Sequence, residues 1–178
     1  MFGFGKKKVT AKEMADGLWM CCRKFSGESY KDIVQMLEKA GHTLTQDKQF
    51  ELSRQLIIAN LWVISKALPS DRIALDHLHQ HYVMGHANLA EDTEGKRECV
   101  SMANQELLGR YKQYHESWNA DEPANQALLA SEMLQNMVGK DELGEDCLNM
   151  MLLFPLQVHI LGMMKAVRDF RTKFEIRD

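Results

Sequence analysis

The sequence predicts an all-α protein: a single compact bundle of about seven helices spanning residues 1–178. Three observations predict it. Apolar residues recur at three- and four-residue spacing in nearly every segment between turn signals, while the alternation of a half-buried strand is hard to find. Only three prolines occur, at 69, 123 and 155, and each falls near an expected helix end or bend. The 178 residues, 45% hydrophobic and 26% charged, have a globular composition and suffice to bury one core.

Residues 1–9, which open with MFGFGKKK, read as a flexible segment that is too short and too glycine-rich to hold a helix. The first helix starts at Thr10, where Thr10 and Glu13 have the spacing of a capping box. Met14, Leu18, Cys21 or Cys22, and Phe25 share one face. The stretch SGES, residues 26–29, is expected to end this helix, with Ser29 capping a second one that carries Ile33, Val34 and Leu37 and stops at Gly41.

The third helix is expected from about Thr45 to Leu68. Phe50, Ile57, Leu61, Ile64 and Leu68 form its stripe, and LIIANLWVI (56–64) is apolar almost all round, so this helix belongs at the centre. Ser70 or Asp71 starts the fourth, with Leu75, Leu78, Tyr82, Gly85 and Leu89 facing inward. The fifth follows EDTEG and runs to about Trp118. The sixth opens at Pro123, whose missing N–H is not needed in a first turn. The seventh covers about 141–174, with Leu156, Ile160 and Met163 inward and a kink or split expected at Pro155.

Several function classes lose ground. Net charge is −3 and the pI about 6.2, which disfavours a general nucleic-acid binder. The chain has no Walker loop, no H-E-x-x-H, no G-x-S-x-G and no C-x-x-C. No uninterrupted apolar run approaches a membrane span. MFGFGKKK lacks the long apolar stretch of a secretory signal, so a cytoplasmic protein with reduced thiols is expected. Phe2, Phe4 and the lysines leave open a weak peripheral membrane contact through residues 2–8.

Four of the seven histidines lie between positions 77 and 86. At about 100° per residue they divide into two shoulders: His79 with His86, and His77 with His81. His77 and His81 have the i, i+4 spacing of a chelating pair, but zinc needs at least one more ligand. If the fourth, fifth and seventh helices pack together, His79 or His86 would meet His115 and His159 between them, as in a bundle that holds a transition metal or haem. The competing expectation is structural: imidazoles at core edges that bond to neighbouring polar groups. His159, among apolar neighbours, is then neutral, and Asn60 is a candidate partner.

The expected function is accordingly that of a non-enzymatic helical protein that binds another protein or itself. It offers twelve methionines and three tryptophans for an adaptable apolar surface. No cofactor is expected on this reading. The alternative is a metal-, haem- or small-ligand-binding bundle built on the histidines. A Cys–His enzyme that uses Cys99 or Cys147, each near a helix start, is a third option.

Overall fold

A computed structural model describes residues 6–39, 41–118, 123–138 and 147–177. The chain runs β1 (Lys7–Val9), α1 (Ala11–Lys39), α2 (Gln46–Ala67), α3 (Arg72–Ala87), α4 (Thr93–Ser117), α5 (Pro123–Val138), α6 (Cys147–Thr172) and β2 (Phe174–Ile176). The described residues are mainly helical and form six helices rather than seven.

The difference lies in α1. SGES does not break it: the helix continues through Ser26, Gly27 and Ser29 to Lys39. Its buried residues include Met14, Leu18, Cys22, Ser26, Ser29, Ile33 and Leu37. These seven step by three or four, so the two serines occupy core positions of one continuous stripe. The Ser26 hydroxyl accepts a hydrogen bond from the Asn60 amide at 2.9 Å, and Ser29 Oγ lies 2.7 Å from His159 Nδ1. These tertiary contacts outweigh the cost of a glycine in the helix, about 1 kcal/mol.

The helix ends follow local rules. Glu13 N–H donates to Thr10 Oγ1 at 3.1 Å while Thr10 N–H donates to Glu13 Oε2 at 2.8 Å, a complete capping box. The second bond is the chief cause that draws the Glu13 carboxyl below its ordinary pKa. Thr45 caps α2 and Asp92 caps α4 through their side chains. Gly41, past the end of α1, has φ of 84°, where a side chain is strained.

The α2 helix packs against all five others. Leu52, Leu56, Ile58, Leu61, Trp62, Val63 and Ile64 are all buried, which places α2 at the centre as its all-round apolarity requires. From α6, Leu156, Ile160, Met163 and Val167 enter the same core. Pro155 lies inside α6, which continues through it, so the chain does not split there into two helices.

Of the segment 1–9 expected to be flexible, residues 1–5 lie outside the described residues, and the described part carries a short strand. Lys7–Val9 pairs in parallel with Phe174–Ile176, in the register Lys7↔Phe174, Lys8↔Glu175 and Val9↔Ile176. Val9, Phe174 and Ile176 pack against the core. Arg171 holds β2 in place, donating to the Phe174 carbonyl at 2.7 Å and to both carboxylate oxygens of Asp71 at 2.7 and 3.0 Å. Three-residue strands carry no readable alternation, so their pairing depends on contacts remote in sequence. Residues 2–5, within the segment considered for membrane contact, lie outside the described residues. No helix among the described residues is long and apolar enough to cross a membrane.

Candidate functional site: a groove between three helices

Three side chains expected inside the stripes are not buried there. Phe50 is 63% exposed, Leu89 is 71% exposed, and Ile57 is only partly covered. All three line one groove of about 220 Å³ between α1, α2 and the end of α3. Trp19, Tyr82, His81, His86, Ser53, Arg54 and Gly85 complete its lining. Beyond its own helix backbone, no atom lies within 4 Å of the place a Cβ of Gly85 would take, so this residue opens the groove wall.

A polar network beneath the groove fixes its shape. Arg54 donates to Glu51 Oε2 from Nε at 3.0 Å and from Nη2 at 2.6 Å, and to Glu106 Oε2 from Nη1 at 2.9 Å. The Gln55 amide, fully buried, donates to Glu51 Oε1 at 2.8 Å and to Glu106 Oε1 at 2.7 Å. Tyr82 donates to Glu106 at 3.3 Å, and Arg110 carries the chain from Gln55 on to Asn136 of α5. Burial, with Glu106 close by, pushes the Tyr82 hydroxyl well above the usual phenol range. A buried amide and a half-buried guanidinium are tolerated here because each has partners. With two carboxylates on it, Arg54 forms wall rather than a free anion receptor.

The histidines have separate surroundings. His81 Nε2 lies 2.8 Å from Asp16 Oδ1, and its ring stacks on Trp19 with centroids 5.7 Å apart, so it forms the groove rim. His86 packs against the Tyr82 ring at 4.6 Å, and burial together with Arg54 lowers its pKa. His77 contacts Gln80 of its own helix at 3.3 Å. Thus the i, i+4 pair His77 and His81 turns to different partners. His79 Nε2 lies 2.9 Å from Tyr111 Oη and 3.3 Å from Ser65 Oγ, and burial lowers its pKa. His115 contacts the Lys66 amine. His159 lies between Asn60 and Ser29.

Among the described residues, the expected meeting of the fourth, fifth and seventh helices, now α3, α4 and α6, does not form. The α6 helix packs on α1, α2 and α5, while α3 and α4 pack on each other. His159 therefore bonds to α1 and α2, and His79 to α2 and α4. Among the described residues, no group of three or more His, Cys, Asp or Glu side chains is placed to hold a metal ion. Cys22 is buried, which pushes its thiol up to about 12, and burial also raises Cys21. Cys99 is half-buried, and the Cys147 side chain lies outside the described residues.

Two roomier hollows, of about 350 and 370 Å³, flank the α2–α3 turn at Asp71. No aromatic side chain lines either, and Asp71 is already held by Arg171. The groove thus offers the larger aromatic surface. Sequence reasoning missed it because Phe50, Ile57 and Leu89 obey the apolar period. Periodicity shows which face a residue takes, not whether a neighbour reaches it. A comparison with family models, curated proteins and solved structures finds no match.

Proposed function

We propose that this chain is a non-enzymatic binding protein, and that its groove receives an apolar side chain from a helical segment of a partner protein. One observation carries this reading: Phe50 and Leu89 stand exposed on the rim of a groove walled by Trp19, Ile57 and Tyr82. Large apolar side chains grouped around a concavity are the usual form of a protein-docking patch. Size favours a protein side chain over a whole small ligand. The groove's 220 Å³ is below the roughly 300–1,000 Å³ of pockets that enclose drug-sized molecules. Helix-in-groove recognition commonly uses a few such anchors. The network through Arg54, Gln55 and Glu106 supports the reading by making the groove rigid before binding.

Panning a displayed library of helical peptides against the wild-type chain tests it. Peptides with an apolar stripe are expected to be enriched, and to lose binding to Phe50→Asp and Leu89→Asp. Both variants should fold normally, because exposed positions tolerate substitution within about 0.5 kcal/mol. Enriched peptides that bind both variants undiminished would refute this site. Sedimentation of the wild type distinguishes the case of a second copy as partner: a dimer that both variants turn into monomer.

A further inference from the structure

Lys66 and His115 form a pair away from the groove. Lys66 is in the last turn of α2 and half-buried, and its amine contacts His115 Nδ1 on α4. The amine also lies over the Trp62 ring, 5.5 Å from its centroid. Trp62 is itself buried and wedged edge-on by Tyr114 and Trp118 at 5.9 and 5.7 Å, so the aromatic surface that positions the lysine stem is fixed. Among the described residues no carboxylate pairs with Lys66. Its polar neighbour is a base instead.

From this geometry we infer that Lys66 is a nucleophilic lysine that accepts acyl groups from acyl thioesters, with His115 as its proton acceptor. A lysine is inert while protonated, and one in a partly apolar site beside a base is activated. Burial of the amine holds its pKa below the ordinary lysine value, so more of it is neutral at a given pH. His115 is exposed, which leaves a path for the reagent and for return of the proton to water.

The step balances as follows. The ammonium passes one proton to His115 Nδ1. The neutral amine attacks the thioester carbonyl carbon, forming a C–N bond. The C–S bond then breaks, and the departing thiolate takes the second proton from the nitrogen. An amide on Nζ and a free thiol result, and His115 releases its proton to solvent. No oxidant or reductant is involved. Acylation abolishes the positive charge over Trp62.

The test is incubation of the full chain with acetyl-coenzyme A at mildly alkaline pH, with acetylation of each lysine followed over time by peptide mass spectrometry. Lys66 is expected to react about tenfold faster than the exposed Lys24, and His115→Gln to remove most of that advantage. Circular dichroism checks that the variant is folded, as an exposed position predicts. Equal rates at Lys66 and Lys24 would overturn the inference. So would an unchanged Lys66 rate in folded His115→Gln, because the base would then play no part.

Discussion

His159 Nε2 lies 2.9 Å from Asn60 Oδ1, linking α6 to the central helix α2. The Asn60 amide nitrogen donates to Ser26, so its oxygen is the acceptor and His159 carries its proton on Nε2. The Ser29 hydroxyl then donates to Nδ1. The neutral imidazole thus satisfies Asn60 and joins three helices. Replacing it by alanine strands a buried amide oxygen and leaves a cavity, and should destabilise the fold by about 2–4 kcal/mol. A urea titration measures this, and a loss below about 1 kcal/mol would contradict it.

The same residue sets a pH dependence. Burial lowers the His159 pKa, and Glu28 and Asp32 only partly oppose the shift. The folded value is then below the unfolded one, about 6.5. The unfolded chain binds the proton more readily, so this stabilisation is complete above about pH 6.5 and is lost as the pH falls through the folded value. His79 and His86 shift the same way and add to the effect. Stability should fall as the pH drops below about 6.5, and fall less in His159→Gln. Equal acid losses in the two proteins would show that His159 takes no part.

Glu106 is the acceptor shared by Arg54, Gln55 and Tyr82. Glu106→Ala leaves three donors short beneath the groove. With Arg54 31% and Glu106 18% exposed, solvent screens part of the effect, and a loss of about 2–3 kcal/mol is expected. Glu106→Gln keeps an acceptor and should lose less. Denaturant midpoints of the two variants rank them, and the reverse order would contradict the network's role.

Gly85→Ala separates folding from binding. A methyl group there meets no atom within 4 Å, so better helix propensity should raise stability by up to about 1 kcal/mol. The same methyl projects into the groove lining. Affinity for a groove-binding peptide should therefore fall while the unfolding midpoint rises. Calorimetry on one sample yields both, and a lower midpoint would mean that the site is more crowded than the structure shows.

Much of the fold is determined locally, and the sequence states it. The Thr10–Glu13 box, the start of α2 beside Thr45 and the glycine at 41 involve residues a few positions apart. The central place of α2 follows from an apolar surface too wide for one partner. Even the bond between His159 and Asn60 was foreseeable, because a polar group on each of two apolar helices has few other partners.

What only the tertiary structure decided depends on contacts remote in sequence. Ser26 and Ser29 read as a break until Asn60 and His159 supply their hydrogen bonds. Lys7–Val9 is a strand through its pairing with Phe174–Ile176, a segment remote in sequence that Arg171 ties to Asp71. The groove exists because nothing covers Phe50 and Leu89, although their spacing matches that of their buried neighbours. Hydrophobic period is a property of one helix. Coverage is a property of how six helices pack, and the placement of the site follows from coverage.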